Sequence, residues 1–200
     1  MENANLRDAS VDDADKAAEL LYISKDWIKE YLHLRNKEET IKLLKELFVT
    51  KDNTFSFTKT RLAEINGEIV GLLLSYPGKS SIKLSLKTVF RLYRIKGFSS
   101  ILLVLKMFWD SLKFEKADKK EYYISSMAVD YDYRNLGIGE KLLSDAERLA
   151  RRSNHKRCSL LVRVNNEPAK NLYYKFDYKI INVFKFNKFK ICKMIKHFKL

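Results

Sequence analysis

The spacing of hydrophobic positions changes several times along the chain, and each change marks an element. Asp12 or Asp13 is placed to cap a helix in which Ala17, Leu20, Leu21 and Ser24 recur with a 3.6-residue period. A second helical pattern runs from about Lys37 to Val49, with Ile41, Leu44, Leu47 and Phe48 on one face. The period then falls to two. Phe57 to Ile65 alternates, Asn66-Gly67 follows, and Glu68 to Tyr76 continues with Ile69, Val70, Leu72 and Leu74. Asn-Gly between apolar runs predicts a hairpin, because both residues tolerate the positive φ of a type I′ turn. Pro77-Gly78 ends the second strand.

Residues 79 to about 120 follow a different pattern. Val89, Leu92 and Ile95, then Ile101, Leu102, Leu105, Phe108, Trp109 and Leu112, predict two amphipathic helices around Gly97. Lys83, Lys87, Arg91, Arg94, Lys96 and Lys106 stud them. Basic amphipathic helices can lie on an anionic membrane or cover a ligand groove. Packing of the Leu and Phe stripes on the core, with solvated lysines, is the simpler reading and the favoured one.

From Glu121 the order becomes regular. Tyr122 to Val129 predicts a strand, and Asp130 to Gly139 a loop. A helix follows from about Ile138 to Arg152, with Leu142, Leu143, Ala146, Leu149 and Ala150 at helical spacing. Cys158 to Val164 reads as a buried strand. Asn165 or Asn166 caps a short helix that carries Pro168 in its first turn, where the missing N–H costs nothing. Tyr178 to Phe186 and Phe189 to Phe198 alternate around an Asn187-Lys188 turn. The order β-α-α-β-β, insertion, β-α-β-α-β-β describes a mixed α/β sheet.

Composition narrows the class. Lys and Arg number 39 against 25 Asp and Glu, a formal charge of +14, which suits anionic partners unless it is a general Lys bias. Cys158 and Cys192 are too few for a disulfide framework or a zinc site, and read as small hydrophobes of a reducing compartment. The N-terminal residues lack a basic head followed by an apolar run, and the most apolar stretch, Ile101 to Trp109, is broken by Lys106. A membrane span needs roughly 20 apolar residues. A soluble, cytoplasmic protein is expected, with one domain over residues 1–200.

The segment from Val129 to Leu143 carries the first chemical signal. A strand delivers the chain to a loop containing Gly137 and Gly139, and a helix begins at once. Unpaired N–H groups of its first turn and the positive end of its dipole form an anion site, to which Arg134 adds a charge. A pyrophosphate suits it. No Lys-Ser or Lys-Thr follows, as in a P-loop, and no third glycine, as in a dinucleotide fingerprint.

The run Arg134-x-x-Gly137-x-Gly139 before Leu142-Leu143 resembles the acyl-CoA-binding signature of the GCN5-related N-acetyltransferase superfamily. Twenty-seven residues beyond Gly139, Asn166-Glu-Pro-Ala169-Lys-Asn-Leu172-Tyr173-Tyr174-Lys175-Phe176-Asp177-Tyr178 is similar to that family's second signature, Asn-x-x-Ala-x-x-Leu-Tyr-x-Lys-x-Gly-Phe. Asp177 stands for Gly and Tyr178 for Phe. Asp visits the left-handed region, so the turn is expected to survive. The resemblance covers residues 4–78 and 121–198 and leaves the insertion outside.

It implies an acyl-CoA N-acyltransferase fold: a mixed, mostly antiparallel central sheet with flanking helices. It implies direct transfer from acetyl-CoA to a primary amine through a tetrahedral intermediate; no metal is expected, because no His/Cys/Asp cluster has metal-ligand spacing. The pyrophosphate would sit on the N–H groups of Asn135, Leu136, Gly137, Ile138, Gly139 and Glu140. The pantetheine arm would pair with the backbone of Met127, Ala128 and Val129. A backbone N–H there would stabilise the oxyanion. Asn166 and Ala169 would contact the arm, and Tyr173 would protonate the leaving thiolate.

No motif identifies the base that takes the amine's proton; Glu64, Glu121 and a water chain are candidates. A non-catalytic coenzyme A sensor of the same fold is the alternative function. Nucleic acid is not expected, because no helix-turn-helix, zinc-finger or aromatic RNA-binding signature occurs. The basic surface disfavours polycationic acceptors such as polyamines. Residues 79–120 are expected to flank the acceptor side of the cleft. Oligomeric state is not readable.

Overall fold

Asn66 and Gly67 turn the chain as their sequence predicts, with φ of 50° and 82°, and bring Ile65 opposite Glu68. The computed structural model describes residues 4–25, 36–96, 117–186 and 189–198. Its first half comprises β1 (Asn5–Asp8), α1 (Ala14–Ser24), α2 (Lys37–Phe48), β2 (Thr60–Ile65), β3 (Glu68–Pro77) and α3 (Ser81–Lys96). The second half holds β4 (Tyr122–Val129), α4 (Ile138–Arg152), β5 (Arg157–Arg163), α5 (Glu167–Lys175), β6 (Lys179–Phe186) and β7 (Phe189–His197). One sheet contains all seven strands in the order β1-β2-β3-β4-β5-β7-β6. Only β4 and β5 pair in parallel; every other neighbouring pair is antiparallel.

The centre of the sheet is buried on both faces, while the edge strand β6 is largely exposed. Strand β3 shows why: Leu72, Leu74 and Tyr76 join the core formed by Leu20, Leu21, Leu44, Leu47 and Phe48 of α1 and α2. Leu73, and Val70 at the register slip opposite Ala63 and Glu64, join Leu142, Leu143 and Ala146 of α4 on the other face. A strand covered on both sides reads as a continuous apolar run, as this one does. Each Leu so buried is worth about 1.5–3 kcal/mol relative to exposure. Gly71 lies where α4 approaches most closely; a Cβ there would meet Ile138 and Leu142 at 3.1 Å.

Two local expectations shift. Neither Asp12 nor Asp13 caps α1 through its side chain. Ser10 caps a preceding 3-10 turn by accepting from the Asp12 N–H, while the Asp13 carboxylate accepts from the Ser10 N–H and from Arg7. Strand β2 starts at Thr60, because Ser56 accepts from the Thr58 N–H and winds Phe57–Lys59 into a 3-10 turn. In the basic segment, α3 is the helix predicted around Val89 and Leu92; the second pattern, Ile101 to Leu112, lies outside the described residues, as does the Asn187-Lys188 turn. Among the described residues no helix is long and apolar enough to cross a membrane.

Candidate active site

The site begins where two parallel strands part. Strands β4 and β5 pair only through Tyr122–Cys158, Tyr123–Ser159 and Ile124–Leu160. Beyond Ile124, β4 continues to Val129 along β3 alone. Its register against β3 slips between Leu74 and Ser75, so that Leu74 faces Ser126 and Ser75 faces Ile124. Ser125 is therefore the extra residue of a β-bulge, a device that bends a strand and re-aims its groups. The Lys25 Nζ donates to the Ser125 carbonyl at 2.9 Å.

The ladder parity fixes where the backbone groups point. The Asp130 N–H donates to the Val70 carbonyl at 2.9 Å. Hydrogen-bonded positions alternate in an antiparallel pair, so Ala128 and Ser126 also face β3, and the N–H and C=O of Met127 and Val129 face the gap. A gap lined by strand groups that no neighbouring strand takes up is a place for an extended ligand to pair, with Arg134 Nε donating to the Val129 carbonyl at 3.4 Å.

At the end of β4 the chain enters a tight turn. Asn135 and Gly137 have positive φ, 63° and 77°. Gly137 is the N-cap of α4 and offers no side-chain cap. The first backbone bond of the helix runs from the Lys141 N–H to the Gly137 carbonyl at 3.0 Å, so the N–H groups of Ile138, Gly139 and Glu140 have no intrahelical partner. Gly139 keeps α5 close, since a Cβ would stand 3.2 Å from Leu172. The Glu140 carboxylate would repel an anion here, but Lys175 Nζ holds it at 2.7 Å. The Arg134 guanidinium stacks 3.9 Å above the Tyr131 ring at the mouth.

Helix α5 closes the other wall. Asn166 caps it, Oδ1 accepting from the Ala169 N–H at 3.2 Å, and Pro168 sits in its first turn. Its C-terminal turn passes through Asp177 at φ 63°, where the family signature has Gly. The Tyr173 ring is 7% exposed and 5.9 Å from the Tyr178 ring. Burial pushes the Tyr173 phenol up to about 12, so it stays protonated across the physiological range.

These elements enclose one cavity of about 920 Å³. Met127, Ala128 and Val129 line it, with Arg134, Asn135, Gly137, Ile138, Gly139 and Glu140 at one end and Asn166, Ala169 and Tyr173 along the wall. Leu136 is not among the lining residues, and its side chain is 61% exposed. The structure does not bring Glu64 and Glu121 into the cavity. Glu64, on β2, accepts from Arg7 Nε at 2.7 Å. Glu121 is buried, accepting from the Asp118 N–H at 2.9 Å and lying 3.3 Å from Lys193 Nζ.

The far end of the cavity holds residues for which sequence patterns indicate no individual site role: Ser24, Lys25, Thr54, Tyr76, Tyr123 and, from the inserted helix α3, Ser85, Thr88 and Val89. Thr88 Oγ1 accepts from the Thr54 N–H at 2.9 Å, fastening α3 to the loop before β2. The Tyr76 and Tyr123 rings lie 5.7 Å apart, and burial raises both phenols, Tyr76 to about 12. Only the bulge and the loop contacts direct these side chains inward, and neither leaves a periodic signal.

Known proteins share the fold. A Staphylococcus aureus Mu50 N-acetyltransferase structure superposes with a TM-score of 0.77 at 23% identity, covering 96% of this chain and 100% of that one. The PaiA N-acetyltransferase of Thermoplasma acidophilum, solved with coenzyme A, gives 0.57 at 14% identity over 98% and 99%. A protein of Bacillus subtilis (strain 168) bearing the name of a ribosomal protein bS18-alanine N-acetyltransferase is 42% identical over 53 residues. That match covers 26% of this chain and about a third (35%) of the relative. The sequence profile of the Acetyltransferase (GNAT) family matches residues 20–178, and the chain belongs to that family.

Proposed function

We propose that the protein is an N-acetyltransferase that moves the acetyl group of acetyl-CoA directly to a primary amine. One observation carries the reading: the gap between β4 and β5 joins a turn of unpaired N–H groups to a buried, protonated tyrosine within a single cavity. The diphosphate lies on the N–H groups of residues 135–140, for the helix-terminus reasons already given. The pantetheine pairs with Met127 and Val129 as an added strand. Asn166 reaches the arm through Nδ2, which its capping role leaves to donate. The sheet holds strands from both ends of the chain, which supports one domain interrupted by the insertion.

The amine nitrogen attacks the thioester carbon, and the C=O electron pair moves onto oxygen. A β4 backbone N–H facing the gap stabilises that oxyanion; fixed donors of this kind are worth about 2.7–4 kcal/mol. When the intermediate collapses, the C–S bond breaks, Tyr173 gives its proton to the departing thiolate, and the proton lost by the acylated nitrogen restores the phenol by way of water. Deprotonation of the incoming ammonium falls to water. Among the described lining residues the one carboxylate is Glu140, at the diphosphate end and already engaged by Lys175.

The acceptor enters from the end lined by α3, and Ser85, Thr88 and Val89 help select it. Their place in the cavity wall supports the insertion as a specificity element. The test is incubation with acetyl-CoA and a panel of amines while free thiol is monitored. Thiol release that requires an amine supports the enzyme. Tight coenzyme A binding with no release on any amine favours a sensor instead.

A further inference from the structure

The outer face of α3 carries an apolar stripe that no described residue covers. Ile82, Leu86, Phe90 and Tyr93 follow one another at helical spacing and are 58%, 42%, 61% and 37% exposed. The opposite face, with Leu84, Thr88 and Leu92, is buried, so the helix is already anchored without the stripe. Soluble proteins scatter large exposed apolar residues singly; a contiguous row marks a surface that meets something.

The borders of the stripe identify what it meets. Each stripe residue is followed immediately by a cation: Lys83, Lys87, Arg91 and Arg94. One residue is a rotation of about 100° on a helix, so the four cations form a single border. Lys87 pairs with Asp52 at 2.9 Å and holds that carboxyl below its usual range; this one pair leaves the charges of Lys83, Arg91 and Arg94 on the border. The other border belongs to the cavity, because Ser85 and Val89 line it and each precedes a stripe residue by one position.

We propose that α3 docks the protein on an anionic lipid bilayer. The stripe enters the boundary between headgroups and acyl chains, and the cationic border lies at the level of the phosphates. A nucleic acid would satisfy the cations and leave four large apolar side chains in water, so lipid fits the whole face better. The formal charge of +14 draws the protein to such a surface from a distance. Docked this way, the α3 end of the cavity opens beside the bilayer.

The test is co-sedimentation of the full chain with vesicles of phosphatidylcholine alone and of phosphatidylcholine mixed equally with phosphatidylglycerol. Binding to the mixed vesicles only, weakened by salt, is expected. The double variant Ile82→Ser, Phe90→Ser should lose at least about tenfold in partitioning, and Lys83→Gln with Arg94→Gln should lose the preference for anionic lipid. All four positions are on the surface, so thermal melts should match the parent. Absence of sedimentation with mixed vesicles would overturn the proposal, as would undiminished binding by the apolar variant. So would a stripe-dependent homodimer, or tighter retention on duplex DNA than on vesicles that the apolar substitutions leave unchanged.

Discussion

The Tyr178 N–H donates to the Tyr173 carbonyl at 3.0 Å, while the Asp177 N–H donates to Tyr174 at 3.0 Å. This pair of bonds is a Schellman closure, and it places Asp177 in the left-handed region where glycine is at ease. The closure seats the Tyr173 ring in the wall of the cavity. Asp177→Gly should therefore raise stability by up to about 1 kcal/mol, and Asp177→Val should lower it by about 1–2 kcal/mol. Urea unfolding midpoints of the two variants would measure both.

Removing the Tyr173 hydroxyl tests the acid. Tyr173→Phe should lower kcat by about 100- to 10,000-fold, the span of general acid catalysis, with little change in the KM for acetyl-CoA. Burial raises this phenol, so its proton is retained above the pH at which an exposed tyrosine would lose it. A fall in rate due to loss of that proton should move upward from about pH 10 towards about pH 12. A pH–rate profile in stable buffers would show whether the alkaline limb is displaced in that direction.

The anion turn gives a different signature. Gly137 sits at φ 77°, and a Cβ there is strained although it has space; Gly139→Val would push into Leu172. Gly137→Ala should weaken coenzyme A binding by about tenfold, in line with the cost of a side chain at positive φ. Calorimetric titration with coenzyme A would measure it.

The two glutamates separate chemistry from stability. Glu64→Gln should leave turnover within about twofold, because Glu64 is held by Arg7 outside the cavity. Glu121→Gln leaves Lys193 buried without its countercharge, a loss of the kind that costs about 3–5 kcal/mol. Its effect should appear as a lower melting temperature, with normal kcat in the fraction that remains folded.

Arg7 also sets an acid limit. It holds the Asp13 carboxyl down to about 2, against an ordinary 3.8. A depressed folded-state value contributes stability that is complete above the unfolded value and disappears as pH falls towards the folded one. Stability should therefore drop between about pH 4 and pH 2, and Arg7→Gln should flatten that drop. Melting curves across this range would check the sign.

Much of this is legible in the sequence, for reasons particular to certain residues. Asn66-Gly67 fixed a hairpin because few dipeptides accept two positive φ values. The runs Leu142-Leu143-Ala146 and Val70 to Leu74 announced their burial by period. The turn before α4 was legible because Gly137 answers a positive φ that few residues meet cheaply and Gly139 a close approach to Leu172. The general base was not, since Glu64 and Glu121 differ from cavity residues only in strand partners and bulge parity. Ser125 could not be recognised as a bulge from composition. Tyr76 and Tyr123 were indistinguishable from other core tyrosines, and Ser85 and Thr88 gained a role only through the packing of α3 on the loop that carries Thr54.

The decisive measurement is a crystal structure with coenzyme A bound. The account predicts the diphosphate within hydrogen-bond distance of the N–H groups of Gly137 to Glu140, the pantetheine paired with Met127 and Val129, and the sulfur beside the Tyr173 hydroxyl. Coenzyme A bound elsewhere, or a β4–β5 gap filled by protein side chains, would contradict it.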